Sequence, residues 1–110
     1  MTTHNNPHPM RVALCTCPPA DADRIARALV DAGAACVNVL PGVKSVYRWK
    51  GAVQEDAESL LVVKVAVDRA ETVRARMESE HSYELPEWVV LAPDETLTSA
   101  RYREWVGSPS

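Results

Sequence analysis

The chain has 110 residues, with 12 Lys and Arg against 15 Asp and Glu and a formal net charge of -3. That length suits one domain with a modest core, and the charge balance excludes the clustered basic surface of a nucleic-acid binder. No apolar run approaches the ~20 residues of a membrane span, and the opening MTTHNNPHPM holds no apolar signal core, so the cytosol is the expected location.

Residues 1–9 are polar and proline-containing and read as a disordered tail ahead of a single domain over 10–110. Arg11 to Cys17 forms a short buried strand. Pro18-Pro19 ends it and opens a helix, because proline fits the first helical turn. Ile25, Ala28, Leu29 and Ala32 then recur at helical spacing and give that helix one apolar face, and Gly33 is its stop. Ala34 to Leu40 is the second strand. Pro41-Gly42 interrupts its ladder as a bulge or kink. The strand resumes over Val43 to Trp49, with Val43, Ser45, Tyr47 and Trp49 on one face. Lys50-Gly51 is a hairpin turn, and Val53 to Val67 returns as the third strand.

Asp68, with Glu71 three residues on, has the pattern of a capping box, and Ala70, Val73 and Met77 form the apolar side of the helix that follows. Trp88 to Ala92 is a fourth strand. Thr98 to Val106 is a terminal helix expected to pack through Leu97, Tyr102, Trp105 and Val106. The order β-α-β-β-α-β plus a C-terminal helix defines an α+β, ferredoxin-like sandwich. Its hairpin is long for the body: a strand from Val53 to Val67 spans ~50 Å, whereas a globule of this size has a radius of gyration near ~13 Å. The tip therefore projects, and a neighbouring subunit paired along the strand edges is its simplest cover.

Three cysteines make an odd count, so free thiols or metal ligands are expected rather than a disulfide framework. Cys15 and Cys17 lie two apart on a strand and face the same side. That arrangement suits a soft ion such as Cu(I), and it equally suits two small core residues. Cys36 stands alone on the second strand, where packing is its default role. His81 follows the second helix, with Glu80 and Glu84 as nearby oxygen donors; it reads either as a ligand for a divalent ion or as part of a polar loop. Lys64 is the single charge inside LLVVKVAV and needs a partner or a route to solvent, with Glu84 as the candidate partner. With Met1 removed, Thr2-Thr3-His4 would offer a square-planar nitrogen set suited to Cu(II) or Ni(II). No nucleophile elbow, phosphate loop, dinucleotide fingerprint, HExxH or CxxC is present, and the chain reads as non-enzymatic.

From Val12 to Val106 the chain resembles the CutA divalent-cation tolerance family. The pieces that carry the resemblance are LCTCP at Leu14–Pro18, RIARALVDAGAACVNVLPGVKSVYRWKG at Arg24–Gly51 and HSYELPEWVVL at His81–Leu91. The resemblance implies a tight homotrimer and a link to copper or another divalent cation (Cu2+ first), with metal contacts on Cys15 and His81. It also implies an intersubunit cleft at Cys36, Lys64, Tyr83 and Glu84, a candidate small-ligand or anion pocket. Glu80 stands where some relatives carry a histidine, and Ser82 where proline is common. The alternative, from another class, is a trimeric small-ligand-sensing adaptor similar to the PII signalling proteins.

Overall fold

In the computed structural model, which describes residues 9–109, the elements run in the expected order. Strand β1 (Met10–Cys17) leads through a short 3-10 turn at Pro19–Asp21 into helix α1 (Ala22–Asp31). Strands β2 (Cys36–Trp49) and β3 (Ala52–Ala66) form the hairpin. A second 3-10 turn at Val67–Arg69 precedes helix α2 (Ala70–Glu80), and strand β4 (Val89–Leu91) and helix α3 (Ala100–Gly107) complete the chain. The sheet order is β2-β3-β1-β4 with every pairing antiparallel, the split βαβ arrangement. Pro9, grouped with the tail on composition, accepts a hydrogen bond from the Val67 amide at 3.1 Å. The Thr2-Thr3-His4 set lies outside the described residues.

Alternation along the strands divides the sheet into two faces. Ala13, Cys15 and Cys17 of β1 and Leu61, Val63 and Val65 of β3 share one face, where they pack with Ile25 and Leu29 of α1 and Val73 and Met77 of α2. These side chains form the main core. The other face carries Val12, Leu14 and Thr16 opposite Lys64, Val62 and Leu60. Helix α3 lies over this second face: it contacts β3 and β1, its Val106 is buried outside the main core cluster, and Tyr102 lies near enough to Cys36 to be influenced by the thiol. Of the four residues expected to seat the helix, Val106 is buried, Tyr102 and Trp105 are more than a third exposed, and Leu97 is almost fully exposed.

The hairpin is built as its residues dictate. Lys50 and Gly51 both have positive φ, 51° and 83°, as a two-residue type I′ turn requires. Pairing runs from Cys36↔Lys64 to Leu40↔Leu60 and resumes at Val43↔Glu58, so Pro41 and Gly42 oppose Ser59 alone as a β-bulge. Beyond the bulge Ser45, Tyr47 and Trp49 pair with Asp56, Gln54 and Ala52, on the same face as Glu58. The molecule is 53 Å along its longest axis and 22 Å along its shortest, with a radius of gyration of 15.3 Å, which agrees with a projecting hairpin.

One expectation for α2 is corrected. No side chain caps its N-terminus, because Val67–Arg69 turns as a 3-10 helix ahead of it. Glu71 is engaged by Arg74 instead, which holds its carboxyl below the ordinary range through the hydrogen bond and the charge of the guanidinium. Arg24 on α1 reaches Glu80 on α2 at 2.6 Å, and Arg76 bonds both Glu80 and Asp31 at 3.1 Å, so a chain of ion pairs ties the two helices together.

Candidate functional site

The segment that follows α2 folds back against the start of the hairpin. Its first residue, His81, ends the helix by donating its backbone amide to the Met77 carbonyl at 2.9 Å. The imidazole then works as a latch. Its Nδ1 accepts the Tyr83 backbone N–H at 3.2 Å, so Nε2 carries the hydrogen and donates to the Thr16 carbonyl at 2.7 Å. The ring also packs against that of Tyr83, with centroids 4.7 Å apart. Tyr83 in turn donates its hydroxyl to Glu58 Oε2 at 2.7 Å. Burial, and then the bond to Glu58, push the Tyr83 phenol well above its ordinary range. One series of contacts thus runs from β1 through His81 and Tyr83 to β3.

Between this segment and the hairpin lies an open cavity of about 660 Å³. Glu58, only 5% exposed, lines it together with Tyr47, Trp49, Tyr83, Glu84 and Glu87. Tyr47 donates its hydroxyl to Asp56, and that bond is the main reason its phenol is raised. Thr16 Oγ1 donates to Glu87 Oε1 at 3.4 Å across the inner end.

The structure brings some of the sequence-selected residues together and separates others. Tyr83 and Glu84 line the cleft. Cys36 and Lys64 pair with each other on β2 and β3, at the opposite end of the same sheet face from the hairpin tip. No ion pair joins Lys64 to Glu84 among the described residues. Cys15 and Cys17 point into the main core, both with 0% exposure. Glu58 and the Thr16 carbonyl, which hold the cleft in shape, were not singled out from sequence. A backbone acceptor carries no residue-type signal, and Glu58 is buried with its carboxylate held by Tyr83 while its neighbours Glu55 and Asp56 are exposed.

The donor set is a direct test of fit to a metal ion. A thiol ligates as the thiolate, and burial, followed by the charges of Cys17, Glu87 and Glu58, pushes the Cys15 thiol up to about 12. Cys17 is raised in the same direction, chiefly by burial. Both imidazole nitrogens of His81 are already bonded within the chain. Among the described residues no three His, Cys, Asp or Glu side chains gather as a metal site. Within one subunit, Cys15 and His81 do not fit a bound ion.

Two measurements follow from the thiols. In native protein Cys15 and Cys17 are expected to resist a water-soluble thiol reagent that labels all three cysteines after denaturation; rapid native labelling of Cys15 would contradict the packing. The raised Cys15 pKa also has a sign. The folded state keeps its proton above the ordinary thiol value of 9.0, while the unfolded state loses it. The contribution is therefore intact below about pH 9 and is lost as pH rises towards 12, at ~1.4 kcal/mol per pH unit for one proton. Urea midpoints are expected to fall between about pH 8 and about pH 10.5, and to fall less in Cys15→Ala; an equal drop in both proteins would assign the alkaline loss elsewhere.

Comparison with known proteins extends these observations. The sequence profile of a family described as CutA1 divalent ion tolerance protein matches residues 11–108. A divalent-cation tolerance protein CutA from Thermus thermophilus is 41% identical over 97 residues, which is 86% of this chain and 92% of that protein. The chloroplastic protein CutA of Arabidopsis thaliana is 42% identical over 73 residues, 66% of this chain, and the match spans only 39% of that longer protein. Among solved structures, the Thermus thermophilus divalent cation tolerance protein aligns with a TM-score of 0.81 at 40% identity, covering 88% of this chain and 94% of that one. A Nostoc structure described as a PII-like protein CutA aligns with a TM-score of 0.82 at 39% identity, covering 87% and 92%. With nearly the whole domain matched in sequence and in fold, this chain belongs to the CutA1 divalent ion tolerance family.

Proposed function

We propose that this chain serves divalent-cation tolerance as a non-enzymatic cytoplasmic homotrimer, and that its working site is a small-ligand cleft between the hairpin and the 81–87 segment. The observation that carries the reading is the open cavity whose wall includes a buried carboxylate, Glu58, held by the Tyr83 hydroxyl. Such a concave, partly aromatic site with a few placed polar groups is the usual form of a ligand pocket. The description of the Nostoc relative as PII-like supports a sensing role of the same kind.

The homotrimer rests on the hairpin and on the resemblance. Val46 and Val53 are 61% and 63% exposed near its tip, and β2 is an edge strand with unpaired backbone groups. Subunit pairing would cover both, and the family resemblance supplies the number three. Light scattering is expected to give three times the 12.1 kDa chain mass; a monomer that persists at high concentration would refute the assembly.

Direct binding of copper or another divalent cation is the second reading, favoured by the name its relatives share. The contacts assigned to it by resemblance are Cys15 and His81. A copper competition titration separates the two readings. It uses the oligomer, shortened to start at Met10 so that Thr2-Thr3-His4 does not contribute, beside Cys15→Ser and His81→Ala. Tight binding lost in both variants supports metal handling on the folded body. Weak binding unchanged by either substitution leaves the cleft as the working site.

A further inference from the structure

We infer that the cleft takes an organic ammonium ion, an amine of small-molecule size, and discriminates against phosphate and carboxylate ligands. The inference deepens the small-ligand reading and rests on it. Glu58 carries it furthest. A carboxylate removed from water is costly unless a positive charge or a full set of donors compensates it. Among the described residues the Glu58 side chain, 5% exposed, receives one hydrogen bond, from the Tyr83 hydroxyl to Oε2, which leaves acceptor capacity open at the other oxygen. It has no ion pair among the described residues. A cation seated in the cavity beside Glu58 would supply that compensation.

The rest of the lining agrees. Glu84 and Glu87 add two carboxylates, against Arg48 as the single basic residue of the wall. A phosphate entering here would meet three acids. The rings of Tyr47, Trp49 and Tyr83 line the wall, and aromatic rings attract ammonium groups. Trp49 already holds one from its own chain, with Lys50 Nζ 5.6 Å from the ring centroid. The loop also starts at the C-terminal end of α2, where the helix dipole favours positive charge.

The test is calorimetric titration of the full-length oligomer at about 0.15 M salt, where exposed charges are screened beyond ~8 Å. Putrescine, spermidine and choline are the amine probes; ATP and inorganic phosphate are the anionic ones. At least one amine is expected to bind and to slow hydrogen exchange in residues 82–87. Affinity is expected to fall at least tenfold in Glu58→Gln and several-fold in Glu84→Gln/Glu87→Gln, whose exposed side chains leave folding intact. Amine binding of equal strength in both variants would mark diffuse attraction to an acidic protein and overturn the assignment. Binding of ATP or phosphate with protection of 82–87, and no amine binding, would overturn the ligand class and leave the cleft reading standing. No protection of 82–87 by any of the five probes would remove both.

Discussion

Leu61→Ala is expected to lower the unfolding free energy by roughly 2–5 kcal/mol. Leu61 is fully buried near the middle of β3, between Cys15 on β1 and Val39 on β2, and it packs on the face covered by α1 and α2. Truncation removes the transfer energy of its side chain and leaves a void that the flanking strands, fixed by ladder hydrogen bonds on both sides, cannot close. Val53→Ala on the same strand is the contrast. Val53 is 63% exposed, and its loss should change subunit stability by no more than ~0.5 kcal/mol. Its effect in a hairpin-paired oligomer appears as easier dissociation on dilution. Urea unfolding followed by far-UV dichroism, with light scattering over a dilution series, separates the two variants. A Leu61→Ala loss below about 1 kcal/mol would mean that β3 is not the central strand of the core.

His81→Ala is expected to free the 82–87 segment from β1. The substitution removes the acceptor for the Tyr83 amide and the donor for the Thr16 carbonyl together. Leaving two partly buried backbone groups unsatisfied costs roughly 1–3 kcal/mol each where water does not replace the partner. The Tyr83 amide should exchange at least tenfold faster, and ligand binding in the cleft should weaken with it, because the Tyr83 hydroxyl is no longer delivered to Glu58. His81→Gln retains both a donor and an acceptor and should restore part of the protection. Unchanged Tyr83 exchange in His81→Ala would show that the segment is held by other contacts. The variant also bears on copper experiments, since a change in apparent metal affinity on losing His81 can arise from a loosened loop.

The order of the elements followed from local signals that nothing in the tertiary structure overrode. Ile25, Ala28 and Leu29 recur at helical spacing and are buried as that spacing requires. Lys50-Gly51 could satisfy a two-residue turn, and Pro41-Gly42 could not sit in an unbroken ladder. The misses have physical causes. The Asp68–Glu71 capping pattern competes with Arg74, which takes the Glu71 carboxylate. Trp88 lies outside the last strand, with its side chain against the core, and three residues, Val89–Leu91, pair with β1. Lys64 and Glu84 were matched by charge alone, whereas the register sets Lys64 beside Cys36. At the cleft, Tyr83 and Glu84 stood out by residue type. Glu58 did not, because the hydroxyl that holds its carboxylate comes from 25 residues away.

The bulge at Pro41-Gly42 sets the phase in which the outer half of β2 is read. Before it, the even-numbered residues Cys36, Asn38 and Leu40 face the same way as Lys64, Val62 and Leu60; after it, the odd-numbered Val43, Ser45, Tyr47 and Trp49 take over that side. Ironing out the bulge with both residues kept, so that Pro41 opposed Ser59 and Gly42 opposed Glu58 in a continuous ladder, would rotate the distal strand by half a period. Lys44, Val46 and Arg48 would then stand where Ser45, Tyr47 and Trp49 now stand. Two cations would replace two aromatic rings opposite Glu58, with the composition of the hairpin almost unchanged. The chemical character of the cleft is therefore encoded by the bulge as much as by residue identities, and a shift of one in the strand pairing would exchange an aromatic, acidic wall for a basic one.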